Sequence, residues 1–282
     1  MTYSRILIPL DGSESAEQAL LFAREVAGPG TELVLFSVCP EDDLRLCRLN
    51  NVYLEVQARS LNADGVNTRV HTEPGEMGES LKRYAAKEKI DLVVACRQPH
   101  TDLNREDKVL NNLVSKKCSL LLIKPGEVNT KIKRIILPLD GSITSEDVLP
   151  YVMELAGATG AEIILLSVNS FPDIPSDRPA SAKPSWEEYA LILMKEVREQ
   201  ASSYLERISE EFDQHGIKKQ TQVVFGGVAE SILKAAEDEK ADLIAMGTHA
   251  RTGFDRWVFG SVAATVSAMT RLPMLLVRST EN

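Results

Sequence analysis

The sequence predicts an α/β protein built of two tandem doubly wound domains, each an open five-stranded parallel sheet with helices on both faces. Two observations carry this expectation. The chain repeats itself once, and within each copy short runs rich in Ile, Val and Leu alternate with longer segments of helical periodicity.

The repeat begins at the first strand. "SRILIPLDGSESAEQAL" (4–20) matches "KRIILPLDGSITSEDVL" (133–149), which sets Asp11 against Asp140 at an offset of 129. "ELVLFSV" (32–38) then matches "EIILLSV" (162–168), and "GESLKRYAAKEKIDLVVAC" (78–96) matches "AESILKAAEDEKADLIAMG" (229–247). Both copies finish in an apolar run, "LLLIK" (120–124) and "MLLVR" (274–278). The segments keep their order, so a whole domain is duplicated, and the period is too long for a solenoid unit. The expected domains are 1–128 and 129–282.

In the second copy, strands are expected near 133–139, 162–168, 220–225, 241–247 and 273–278. Their unbroken apolar character suits strands buried on both faces, as in parallel sheets. Helices are expected over 14–27 and 144–158, where Ala and Leu recur at three- and four-residue steps. The second copy also carries a proline-rich stretch, "NSFPDIPSDRPASAKP" (169–184), read as a surface loop or a lid. Ser185 and Glu188 after it fit a capping box that opens a long helix.

Composition narrows the function classes. The formal charge is −9 and both halves are mildly acidic, which argues against a general nucleic-acid binder. No run approaches the roughly 18 apolar residues that span a bilayer, and the start shows no signal-peptide pattern. No membrane partner and a cytoplasmic location are the expectation. Cys39, Cys47, Cys96 and Cys118 form no CxxC pair and are read as reduced thiols. His71, His100, His215 and His249 show no metal-ligand spacing, so no metal site is expected.

A ligand in such a sheet sits beyond the carboxyl ends of the strands, where the strand order reverses. Asp11 and Asp140 follow the first strand of each copy. Each suits hydrogen bonding to a ribose or base, or else capping of the next helix. In the second copy "GTHARTGFDRWVFGS" (247–261) runs from a strand into a helix. Gly247, Gly253 and Gly260 allow close backbone approach, Ser261 adds a hydroxyl, and Arg251 or Arg256 supplies charge. A helix N-terminus offers free N–H groups and the positive end of its dipole to phosphate.

With these motifs the chain resembles the universal stress proteins, in a tandem two-domain form. The resemblance implies a Rossmann-like, adenine nucleotide α-hydrolase-like arrangement. It also implies an adenine nucleotide, ATP with or without Mg²⁺, in the second copy. Pro138, Leu139 and Asp140 would meet ribose or adenine, and Val168 the adenine through its backbone. Gly247, His249, Ala250, Arg251, Gly253, Gly260, Ser261 and Val262 would hold the phosphates. ATP-binding members carry glycine where this chain has Ala250, whose small methyl is expected to leave binding intact. The resemblance further sets 119–124 against 273–278, an intramolecular pseudo-dimer. A homodimer and the protein partner are left open.

The first copy departs further. "CRQPHTDLNREDKVLNNLVSKK" (96–117) has Cys96 in place of Gly247 and no glycine at all, and is read as a degenerate, structural counterpart. Three functions stay open: a nucleotide-binding regulatory module of stress response, an interaction protein with a relict loop, and a slow ATP hydrolase or nucleotidyl transferase. The loop spacing demands no catalytic base, and the Gly-rich loop with its Lys that marks P-loop ATPases is missing. A phosphorylated receiver domain would need acidic residues at the first and third strand ends, and "VVFGG" has none.

Overall fold

The computed structural model describes residues 3–97, 118–126, 129–171, 186–248 and 260–279. The first half comprises β1 (Arg5–Pro9), α1 (Glu14–Val26), β2 (Glu32–Cys39), α2 (Leu44–Ala63), β3 (Thr68–Pro74), α3 (Met77–Glu88), β4 (Leu92–Cys96) and β5 (Ser119–Ile123). In the second half, β6 (Arg134–Pro138), α4 (Ile143–Glu146) and α5 (Leu149–Thr159) come first. They are followed by β7 (Glu162–Asn169), α6 (Trp186–Gln214), β8 (Lys219–Phe225), α7 (Val228–Asp238), β9 (Leu243–Thr248), α8 (Ser261–Met269) and β10 (Met274–Arg278).

The strands form one ten-stranded sheet in the order β3-β2-β1-β4-β5-β10-β9-β6-β7-β8. Pairing is parallel throughout each half, so each is the five-stranded parallel sheet that the alternating pattern implies. The halves join where β5 and β10 pair antiparallel, Leu121 opposite Leu275 and Leu122 opposite Met274. Each would otherwise be an exposed edge with a row of unpaired N–H and C=O groups. Side chains along this seam alternate between two cores. Leu121 and Leu275 join one apolar cluster, whereas Leu120, Leu122, Met274 and Leu276 join the other.

The two cores also record which face each helix covers. Buried residues of α1, α2, α5 and α6 belong to the first, those of α3, α7 and α8 to the second. Each half therefore changes face between its third strand and the helix that follows, and the strand order reverses between β1 and β4 and between β6 and β9. An aspartate clamps each reversal from below. Asp91 Oδ2 accepts from the Ser4 and Arg5 amides, and Asp242 Oδ2 accepts from Lys133 and Arg134 at the same places.

Two expectations need correction. The helix expected over 144–158 is two helices, α4 and α5, because Pro150 in the first turn of α5 has no N–H to donate to Glu146 and its ring crowds that carbonyl. The cysteines are not all reduced thiols, since Cys39 and Cys47 form a disulfide across the β2–α2 turn. They escaped a spacing search because the eight-residue separation matches no redox motif, and only the turn brings their Cα atoms within 5.1 Å. Cys96 and Cys118 are outside the disulfide, and burial pushes the Cys118 thiol up to about 12. Ser185 of the expected capping box and the 172–184 stretch lie outside the described residues, as does 98–117.

The seam yields a test in which face alternation decides the outcome. A Leu121→Cys, Leu275→Cys pair sits directly opposite on one face and should cross-link within the chain under mild oxidation. A Leu122→Cys, Leu275→Cys pair points to opposite faces and should not. Mass analysis of the linked peptides distinguishes the two. Equal cross-linking of both pairs would contradict the register.

Candidate functional site

A pocket of about 280 Å³ opens at the carboxyl edge of the second half, in the crevice where the strand order reverses. Its walls come from three strand ends and three helices. Pro138, Leu139 and Asp140 lie at and just past the end of β6, and Leu166 and Val168 on β7. Met246, Gly247 and Thr248 close β9, and Gly260, Ser261, Val262 and Ala263 open α8. Val228 and Ile232 from α7 form an apolar wall, and α4 with its cap contributes Ser142, Thr144 and Ser145.

Eight of the twelve residues singled out in the sequence thus share one cavity: Pro138, Leu139, Asp140, Val168, Gly247, Gly260, Ser261 and Val262. His249, Ala250, Arg251 and Gly253 lie outside the described residues. Sequence reasoning missed Thr144, Ser145, Thr248, Val228 and Ile232. Thr248 was readable as the neighbour of Gly247. The wall formed by α7 was not, because nothing local distinguishes a pocket-facing Ile from a core Ile.

Of the two readings of Asp140, helix capping is excluded by its partners. Ser142, not Asp140, caps α4, its side chain accepting from the Ser145 amide. Asp140 Oδ1 instead accepts from the Ser142 amide at 3.0 Å and the Ser142 hydroxyl at 2.6 Å, an Asx-type turn that fixes the carboxylate at the pocket mouth. Burial works against its charge, but the hydrogen bonds from Ser142 and Ser145 outweigh it and hold the carboxyl below the usual aspartate range. Asp11 and Ser13 repeat this geometry in the first half, with Ser13 capping α1. The aspartate turn is therefore shared by both copies and does not by itself distinguish a ligand site.

The glycines do distinguish the copies, for two separate reasons. A Cβ at Gly247 would stand 1.9 Å from the Thr144 carbonyl oxygen, so glycine is required there for α4 to pack against the end of β9. That demand is internal to the fold. Gly260 is the opposite case: its φ is −51°, and a Cβ would meet nothing within 4 Å among the described residues. It caps α8 without a side-chain hydrogen bond, leaving the first amides of the helix facing the pocket.

A second polar feature points the same way. Thr248 is 2% exposed, lines the pocket, and its Oγ1 has no hydrogen-bond partner among the described residues. An unpaired hydroxyl at that depth costs about 1–3 kcal/mol unless something else supplies the bond. The lining has the groups an adenine nucleotide would use: apolar side chains such as Val168 and Ile232, the Asp140 carboxylate, and the start of α8 with hydroxyls beside it. Asp140 is the one ionisable side chain among the described lining residues.

The fold and this crevice define a tandem doubly wound α/β protein with a ligand-type pocket in its second copy. The chain belongs to the universal stress protein family, whose model matches residues 2–124 and again 131–278. It is similar to two universal stress proteins of Methanocaldococcus jannaschii. One is 31% identical over 160 residues, covering 56% of this chain and 87% of that protein. The other is 32% identical over 153 residues, covering 52% and 94%. Among solved structures, a Pseudomonas aeruginosa protein of unknown function shares the fold over 98% of this chain and 93% of its own, with a TM-score of 0.71 at 18% identity. A universal stress protein of Archaeoglobus fulgidus shares it over 98% and 96%, with a TM-score of 0.68 at 18% identity.

The two glycines should separate on substitution. Gly247→Ala should lower stability by about 3 kcal/mol, since backbone must move to admit the methyl, whereas Gly260→Ala should leave the melting temperature of the free protein within a degree or two. Thermal unfolding checks both, and equal losses would remove the distinction drawn here. Thr248→Val, which deletes the orphan hydroxyl at nearly constant shape, should stabilise the free protein by about 1 kcal/mol in denaturant titration. A loss of that size would show instead that the hydroxyl has a partner.

Proposed function

We propose that the chain is a stress-response module that binds one ATP, with or without Mg²⁺, in its C-terminal half and uses it to control shape or partner choice. The observation that carries this reading is the convergence of strand ends and the uncapped start of α8 on one pocket with an orphan buried hydroxyl. On this reading the chain divides into 1–128, with a degenerate nucleotide loop, and 129–282, with the loop retained. The halves act as an intramolecular pseudo-dimer through β5 and β10. Asp140 meets the ribose and the Val168 backbone meets the base. The first amides of α8, with Ser261 and the 247–260 loop, hold the phosphates.

The lining supports a binding role over catalysis. A general base or activated nucleophile would be expected near the phosphates, and the described lining offers a single carboxylate, Asp140, which this reading places at the ribose. Hydrolysis, if present, would be slow. An acidic protein holding a polyphosphate also gains from a divalent cation that neutralises the ligand.

Calorimetric titration of ATP and Mg²⁺ into nucleotide-stripped protein tests the reading. One equivalent per chain is expected, lost in Gly260→Asp, whose carboxylate would project into the pocket without disturbing packing among the described residues. Two equivalents would refute the asymmetry between the halves. No heat, together with no displacement of a fluorescent ATP analogue, would leave a protein-interaction module with a relict loop.

A further inference from the structure

On the reading that Val168 meets a base, the Cys39–Cys47 disulfide sits beside the corresponding position of the first half. The sheet register makes the correspondence explicit: Pro9 pairs with Phe36 as Pro138 pairs with Leu166, so Val38 is the counterpart of Val168. In the second half Val168 lines the pocket. In the first, the Val38 carbonyl is covered, because the Asn50 side-chain amide donates to it at 2.9 Å and to the Ser37 hydroxyl at 3.2 Å. A carbonyl can only accept, so the amide nitrogen must face it.

Asn50 stands one turn beyond Cys47 on α2, and Cys47 is bonded to Cys39, the last residue of β2. Cys47, Asn50 and the fully buried Leu54 follow one another at three- and four-residue steps, the sheet-facing stripe of the helix. Among the described residues the second half has no such strap. Tyr53 donates to Glu17 from α2, and Tyr204 on α6 lies beside Glu146, which with burial pushes its phenol above the ordinary range. That pairing aligns α2 with α6, and it places Ala201 where Asn50 stands and Arg198 where Cys47 stands. Arg198 turns away to donate to the Val223 carbonyl.

We propose that Cys39–Cys47 is a redox-controlled latch, which in its oxidised form pins the first two turns of α2 over the end of β2 and seats Asn50 on the Val38 carbonyl. Once reduced, only the short cap at Asp43 and the Asn50 contacts hold these turns, and they open. The chemistry is thiol–disulfide exchange with a low-molecular-weight thiol. Its thiolate attacks Cys47 Sγ, because Cys47 is partly exposed whereas Cys39 is 2% exposed. The S–S bond breaks, Cys39 leaves as a thiolate and takes a proton, and a second thiol releases Cys47 and departs in a symmetric low-molecular-weight disulfide. Re-oxidation by a hydroperoxide converts one thiol to a sulfenic acid, releasing water or an alcohol. The other thiol then displaces a second water.

Hydrogen exchange read by mass spectrometry on the full chain tests the latch, comparing peroxide-treated and thiol-reduced protein. Amides of 44–50 should exchange about tenfold faster after reduction, while those of the α6 turns and of the seam strands stay unchanged. Cys47→Ser should show the fast pattern in both conditions. Asn50→Ala should exchange faster than wild type when reduced but stay protected when oxidised. Exchange at 44–50 that is the same in both redox states would overturn the proposal, and so would failure of Cys39 and Cys47 to pair under peroxide.

Discussion

The handedness of the β–α–β crossover is the constraint on which the rest of the structure depends. A right-handed connection on a twisted parallel sheet moves the chain along one face, and a second set of strands can be added on the other side only by changing face. Each half does this once. Helices after the first two strands pack into one core and helices after the third into the other, so the order reverses beside the first strand. Chains leaving the two strands at the reversal diverge to opposite faces, and a crevice opens between them whatever the side chains are. Both halves inherit that crevice from topology alone.

What each half puts in its crevice is a separate matter, decided by very few atoms. In the second half the absent Cβ of Gly247 lets α4 close on β9, and the uncapped start of α8 faces the space that remains. In the first half Cys96 stands at the Gly247 position, and α2 is tied to the end of β2 through Asn50 and the disulfide. The copies share the aspartate turn and the strand clamp at Asp91 and Asp242 nearly atom for atom. Duplication has preserved what builds the crevice and varied what fills it.

The seam explains how two copies differing in this way stay one molecule. The β5–β10 ladder removes two open edges and makes both cores continuous across the junction, so neither half ends in an unpaired strand there. A ligand held between β6 and β9 lies two strands from β5.

The sequence by itself determined the architecture. Periodicity, the repeated PLDGS and its offset of 129 specified two doubly wound copies, because apolar patterning is local and survives duplication. It also located Asp140, Val168, Gly247, Gly260 and Ser261, each at a strand end or a helix start, where the rule for parallel sheets places ligands. It assigned Gly247 to anion approach, and there only tertiary structure decided: the demand for glycine comes from the Thr144 carbonyl, more than a hundred residues away along the chain. The orphan hydroxyl of Thr248, the Asn50 cover on Val38 and the pairing of Cys39 with Cys47 were likewise invisible. Each is a property of where a side chain's neighbours stand, and a hydrogen bond or a disulfide depends on distances that no spacing along the chain encodes.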